Sequence, residues 1–244
     1  TRRNNLEIKV LPKNKFIECE FTEPTIVYVQ TRKMCEKIHN QFLEKNIKSA
    51  CYHGGMSKED KEKSHNSFID GTIIVIVATI SFGMGIDKSD IRQVINYGVP
   101  SDIESYYQEI GRAGRDGINS KATIYYDQSD FVTVAFMISK STDKKQQEIK
   151  TNAMNTFRKY LSENNMCRQQ MIDYYFETGN FSTEKNISHI PKCNMCDNCC
   201  GNKIQQIHDI TKESEIIVKI ICNNKLHTGF DVGMEKTICL IQKK

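Results

Sequence analysis

Nowhere does the sequence run apolar for long. Its longest such stretch, Ile73 to Ala78, falls far short of the ~20 residues that a membrane-spanning helix needs, so a soluble chain with no membrane partner is expected. No basic-then-apolar segment opens the chain, which argues against secretion. Also missing are GxxxxGK[ST], the loop that wraps a triphosphate, and a DExH segment to hold magnesium and orient water. Alone, the chain is expected to bind ATP poorly and hydrolyse none. Charge of neither sign dominates: 34 Lys and Arg stand against 30 Asp and Glu, and the net +4 suits an anionic partner without selecting one. Ten cysteines would mean a disulfide scaffold only in a short secreted chain; here several gather at metal spacing, and a reducing, intracellular compartment is expected.

What is present is organised around Ser101 to Gly117, SDIESYYQEIGRAGRDG. Ser101 and Glu104 have capping-box spacing, so Asp102 to Ile110 should form a short helix ending at Gly111. Arg112 and Arg115 follow in a turn of small residues with no bulk to cover their guanidinium groups. Such forks suit phosphate oxygens, and the pattern reads as an arginine finger loop that stabilises the charge of a transferring phosphoryl group. The plainer alternative is a helix C-cap with basic residues favouring the dipole.

From Thr25 onward short β-rich runs alternate with helical ones: TIVYVQ, MCEKIHNQFLEK, SACYH, KEDKEKSHNSFID, IIVIVAT, IRQVINYG, the helix before the arginines, and ATIYYD. This alternation predicts an α/β fold, a parallel sheet covered by helices. Ile38, Phe42 and Leu43 recur at helical spacing, and IIVIVA suits a strand buried on both faces. Ligands of such sheets bind at the carboxyl ends of strands, where Thr31 and Arg32, His53-Gly54-Gly55, and Thr79 to Asp87 are expected. The two glycines of YHGGM either meet a phosphate closely or simply make a turn. The Thr79 hydroxyl can donate to a phosphate, while Gly83 and Gly85 let the chain bend close to a ligand.

Gln128 to Glu163 reads as helical, with a charged middle, SKSTDKKQQEIK, that marks a domain boundary. Met171, Ile172, Tyr175 and Phe176 form an apolar stripe that reads as core. Cys167 and the segment KCNMCDNCCG carry the second strong signal. Cys193, Cys196 and Cys199 in CxxCxxC, with Cys167 from a preceding helix, offer four thiolates for a structural, tetrahedral Zn2+. Cys200 or His189 stays open as a substitute ligand, and a redox CxxC pair is the rival reading. Cys19, Cys35, Cys51, Cys222 and Cys239 are scattered and read as ordinary buried or half-buried thiols.

VATISFGMGIDKSDIRQVINYGVPSDIES followed by YYQEIGRAGRDG resembles helicase motifs V and VI of the RecQ family of superfamily 2 DNA helicases. The likeness runs from Thr25 to Asp127 and resumes at CRQQMIDYYF and the CxxCDxC cysteines. DEAD-box RNA helicases carry instead a His-Arg version of the arginine segment. The resemblance implies a RecA-like motor lobe, then a small helical zinc-binding domain and the start of a winged helix. Residues 1–140 would be the interlobe linker and second lobe, 141–204 the zinc-binding domain, and 205–244 a partial winged-helix segment. ATP with Mg2+ would be held mainly by the first RecA-like lobe of the same full-length protein. By the same resemblance Arg115 is the finger and Arg112 its partner at the γ-phosphate, Gly85 and Asp87 lie near the nucleotide, and Gln108 couples the sites. Thr31, Arg32, His53, Gly54 and Thr79 would meet the DNA backbone. The implied function is the C-terminal half of an ATP-dependent 3′–5′ DNA helicase working at single-stranded/duplex junctions in repair, recombination or replication, in the nucleus if the source is eukaryotic. A non-catalytic DNA-binding scaffold and an RNA helicase are the rivals.

Overall fold

The computed structural model describes residues 2–13, 21–83, 86–181, 187 and 189–201. The expectations for Gly85, for the segment after β1 up to residue 20, and for the helix and winged-helix start of 204–244 lie outside these residues.

Six strands make one sheet: β1 (Leu6–Pro12), β2 (Thr25–Val29), β3 (Ser49–Tyr52), β4 (Val75–Ala78), β5 (Gln93–Tyr97) and β6 (Ser120–Tyr126). Their order is β1-β6-β5-β2-β4-β3 and every pairing is parallel. The helices are α1 (Arg32–Glu44), α2 (Lys58–Ile69), α3 (Ile103–Ile110), α4 (Gln128–Ser139), α5 (Lys144–Ser162), α6 (Arg168–Thr178) and the short α7 (Asp197–Cys200). Central strands β2 and β4 are buried at every position, because helices cover both faces. Side chains alternate between those faces. Val27, Val29, Val75, Val77 and Ile95 pack with Cys35, Ile38 and Phe42 of α1, whereas Ile26, Tyr28, Ile76, Ala78 and Val94 join Phe68, Ile103, Tyr106 and Ile110 opposite.

The stretch read as linker is itself part of the sheet. LEIKVLP forms the edge strand β1, in register with β6 from Leu6 beside Ser120 to Pro12 beside Tyr126. Leu6 and Ile8 point into the core while Leu11 and Pro12 fray outward. Two apolar positions also move out of the expected core. Leu43, one step around α1 from buried Phe42, is 51% exposed, and Phe176 near the end of α6 is 40% exposed.

The helix before the arginines starts one residue later than its capping-box spacing suggested. Asp102, in extended backbone, is the N-cap, and its carboxylate accepts from the Ser105 N–H at 2.7 Å. A carboxylate outcompetes a hydroxyl for that donor because it also opposes the helix dipole. Ser101 instead donates to Asp102.

The charged middle of 128–163 contains a real break, with Asp143 capping α5 through the Lys145 and Gln146 amides. Beyond it, the cysteine-bearing segment packs directly on the sheet domain. Phe157 and Tyr160 of α5 meet Tyr106 of α3 at ring-centroid distances of 5.3 and 5.9 Å. Tyr175 donates to Glu104 at 2.6 Å, and Asp197 accepts from the Val10 amide at 3.0 Å. One hydrophobic cluster runs from Leu6 to Cys196, and the chain packs as one unit through Gly201.

Candidate functional site

The arginine turn follows α3. Gly111 stays right-handed (φ −63°), and the chain reverses instead at Gly114 (φ 59°) and Gly117 (φ 85°). At Gly114 a side chain is impossible without rearrangement, since a Cβ would lie 2.6 Å from both Asn5 Nδ2 and Ser120 Oγ. The turn's carbonyls are tied back by the N-terminal stretch. Arg3 donates to the carbonyls of Gly111, Ala113 and Gly114 at 3.3, 2.6 and 2.7 Å. Asn5 Nδ2 donates to Gly114 and Ile118 at 2.8 and 2.9 Å. Sequence reasoning missed both residues; the polar RRNN just before an alternating strand was the available signal.

The two arginines, expected as an equally uncovered pair, differ. Arg115 is exposed, with Nη1 donating to the Ile86 carbonyl at 3.2 Å. Arg112 is half-buried, its Nε without a hydrogen-bond partner among the described residues. Gly83 makes room for it: a Cβ there would sit 3.0 Å from Arg112 Nη2. Beneath lies Glu109, 8% exposed, which accepts from Asn96 Nδ2. Burial pushes the Glu109 carboxyl up to about 8, against the opposing pull of the Asn96 hydrogen bond and the Arg112 charge. Gln108 and Asp87 are exposed.

Because all strands are parallel, the loops after β2, β3 and β4 share the sheet's carboxyl edge. Thr31 caps α1, accepting from the Met34 N–H at 3.2 Å, which leaves its own proton free to donate elsewhere. The exposed Arg32 side chain lies against the Gly54-Gly55 turn, where a Cβ on Gly55 would come 3.2 Å from its Cδ. Thr79 joins this edge through its amide, which donates to the Tyr52 carbonyl at 3.1 Å, and its hydroxyl is 2.9 Å from that of Ser81. His53 is placed otherwise than expected. It is 6% exposed, its Nδ1 accepts from the Gly55 N–H at 3.2 Å, and its Nε2 lies 3.3 Å from Glu36. Both ring nitrogens thus have partners within the protein, and His53 braces the glycine turn.

The crossover from β4 to β5 connects the two regions. It leaves the carboxyl edge at Thr79, passes Arg112 at Gly83 and Arg115 at Ile86, and reaches the amino end of β5, where the Gly114 amide donates to Ile91. The arginine side chains thus meet the loop that follows β4, while the backbone of their turn is tied near the amino end of β5.

The sulfurs of Cys167, Cys193, Cys196 and Cys199 lie within 4.8 Å of one another. Tetrahedral zinc with Zn–S bonds of ~2.3 Å needs sulfurs ~3.8 Å apart; Cys193 and Cys199 are already at 3.9 Å. Backbone amides favour thiolate charge here: the Cys193 N–H points to Cys167 Sγ at 3.3 Å, that of Cys196 to Cys193 Sγ at 3.3 Å, and that of Arg168 to Cys196 Sγ at 3.4 Å. Hydrogen bonds from Cys193 and Cys196 hold the Cys167 thiol far below its ordinary range. All-sulfur chemistry with amide support fits a structural zinc. Cys200, exposed and bonded to the Asn194 carbonyl, and His189, exposed beside Glu177, stand outside the quartet. Arg168, which the motif reading passed over, is 1% exposed and ties α6 to Asp197 and to the Tyr160 carbonyl.

Residues 8–117 match the family model described as the helicase conserved C-terminal domain, and residues 128–200 match the RecQ zinc-binding model, whose span ends on the cysteine quartet. The chain belongs to the RecQ family. It is 40% identical over 181 residues to the bifunctional 3′-5′ exonuclease/ATP-dependent helicase WRN of Mus musculus, covering 74% of this chain and 13% of that protein. It is 33% identical over 235 residues to the ATP-dependent DNA helicase RecQ of Bacillus subtilis, covering 93% of this chain and 38% of that one. A third relative, the putative ATP-dependent RNA helicase R290 of Acanthamoeba polyphaga mimivirus, is 34% identical over 234 residues, with 90% and 41% covered. This RecQ region thus spans well under half the length of the relatives it matches.

Proposed function

We propose that the chain supplies the second motor lobe and zinc module of an ATP-dependent 3′–5′ DNA helicase, with ATP and Mg2+ held mainly by a first lobe of the same full-length protein. The observation that carries this reading is Arg115, exposed on a turn whose carbonyls Arg3 and Asn5 hold back, in a chain of the RecQ family. In that role Arg115 is the finger toward the γ-phosphate and half-buried Arg112 its support, with Gln108 and Asp87 on the open face. Thr31, Arg32, Gly54 and Thr79 form the edge that meets DNA phosphates, and His53 holds the glycine turn for them. Residues 1–140 act as the lobe with its linker, and 141–204 as the zinc-binding domain held by the four cysteines. Contacts of this kind are weakly selective for sequence and weaken with salt. Junction unwinding in repair, recombination or replication fits such a motor, in the nucleus where the source is eukaryotic.

In the full-length protein Arg115→Ala should leave ATP binding nearly intact and lower turnover by roughly 10³-fold. An unchanged rate of hydrolysis would remove Arg115 from the nucleotide site. The name of the mimiviral relative favours RNA as a second substrate class. Unwinding of matched RNA and DNA duplexes by the full-length protein separates the two, with faster DNA unwinding expected.

A further inference from the structure

Cys35 and Cys51 lie outside the cysteine quartet, and the sequence offered them only as scattered thiols. Their sulfurs are 2.9 Å apart, within an ångström of the ~2.05 Å of a bonded pair. The two are unlike. Cys35, in the first turn of α1, is fully buried, with its sulfur 3.0 Å from the Val77 carbonyl. Cys51, one residue before the end of β3, is half-buried. Burial orders the chemistry: an oxidant can reach half-buried Cys51 and not Cys35, and the hydrogen bond between the two sulfurs lowers the Cys51 thiol and, with burial, raises that of Cys35. A partly accessible thiol with a resolving partner beside it is the arrangement that oxidises reversibly.

We propose that Cys51 is a peroxide-reactive thiol and Cys35 its resolving partner, the pair closing into a disulfide between α1 and β3. The Cys51 thiolate attacks one oxygen of hydrogen peroxide; the O–O bond breaks, hydroxide leaves and takes a proton as water, and Cys51 becomes a sulfenic acid. The Cys35 sulfur then attacks Cys51 Sγ. Its proton goes to the departing hydroxyl, the S–O bond breaks, the S–S bond forms, and a second water leaves. Two thiols lose two electrons in all, and one peroxide becomes two waters. The bridge would tie the first turn of α1, which begins at Thr31 and Arg32, to the strand that ends just before His53. It stiffens the base of the loop edge and is undone by a thiol reductant.

The test is peptide mapping without reduction, on the zinc-loaded chain treated with hydrogen peroxide and then alkylated. A linked pair of peptides holding Cys35 and Cys51, lighter than their sum by two hydrogens and lost on reduction, is expected. In Cys35→Ala the unresolved sulfenic acid should be trapped on Cys51 by dimedone, with little adduct in the wild-type chain; Cys51→Ala should give neither product. Alkylation of both thiols in treated wild-type chain, while Cys200 is oxidised, would overturn the proposal. So would a dimedone adduct on wild-type Cys51 with no linked peptide, since Cys35 would then not resolve it. The wild-type mapping needs no variant to fold.

Discussion

Arg168→Leu tests what holds the zinc module together. The guanidinium is 1% exposed and reaches three groups: its Nε and Nη2 lie 3.0 and 3.2 Å from the Asp197 carboxylate, its Nη1 lies 2.7 Å from the Tyr160 carbonyl, and its Nη2 also lies 3.4 Å from Asn198 Oδ1. Removing one partner of a buried pair costs about 3–5 kcal/mol. The carboxylate left behind is 20% exposed and keeps the Val10 and Asn198 amides, so water and those donors recover part of the loss. The net cost should be about 2–3 kcal/mol, or roughly 5–10 °C in melting temperature for a chain of this size. Because Cys167 precedes Arg168 and Cys196 precedes Asp197, the same variant should yield zinc to a chromogenic chelator faster than wild type. Arg168→Lys should recover less than half of the stability, since an ammonium is a point charge that cannot reproduce the fork. Thermal melts of the zinc-loaded chain, with and without chelator, measure both effects. A Leu variant that melts and holds zinc like wild type would refute the assignment of Arg168 as the clamp.

Glu109 gives a pH prediction. Its folded value of about 8 lies above the ordinary 4.5 because burial disfavours its charge, so the fold prefers the protonated acid. That contribution is complete below the unfolded value and is lost as pH rises through about 8, at roughly 1.4 kcal/mol per pH unit. Glu109→Gln should therefore gain melting temperature over wild type as pH rises across that window; parallel pH profiles would show that Glu109 is not protonated in the fold. Gly114→Ala places a Cβ against Asn5, Ser120 and Ile118 in a left-handed position and should cost about 2–4 kcal/mol, read as a fall in urea midpoint. Arg32→Ala in the full-length protein should weaken DNA binding about equally across sequences and reduce the magnitude of the log-log salt slope by about one. An unchanged slope would take Arg32 off the phosphate edge.

Much of this was legible in the residues. The sheet could be read because its strands alternate with amphipathic helices, and the cysteine quartet because thiolate chemistry demands its spacing. Failures arose where a local pattern had to be weighed against tertiary partners. LEIKVLP alternates like a strand, but only the distant β6, more than a hundred residues on, makes it one. Nothing near His53 in sequence announced that Glu36 and the Gly55 amide would lie at its two ring nitrogens. The two arginines look alike in GRAGR; what separates them is the crossover, which covers Arg112 at Gly83 and, among the described residues, meets Arg115 at the Ile86 carbonyl. Cys35 and Cys51 are sixteen positions apart, a distance with no meaning until α1 lies on β3.

The placement of the N-terminal arginines joins these pieces. Arg2 donates to the carbonyls of Pro191 and Lys192 at 3.0 and 2.8 Å, in the loop that delivers Cys193, while Arg3 holds three carbonyls of the arginine turn. Adjacent residues of one short stretch thus grip the cysteine centre and the finger loop, and β1 anchors that stretch to the sheet through seven paired positions. Elsewhere the turn's backbone bonds mainly to its own helix and to Ile91 and Ser89 of the crossover, and Asp116 pairs with Arg92. A finger that must meet a nucleotide held elsewhere needs a fixed base, because an ångström of misplacement costs orders of magnitude in a reaction catalysed by positioning. Zinc bound by the four cysteines would fix Cys193 and with it the carbonyls that Arg2 holds, and the strand would carry that rigidity to Arg3. Loss of metal is therefore expected to loosen the arginine turn even though no cysteine touches it, which would appear as faster amide exchange at residues 111–117 in the metal-free chain.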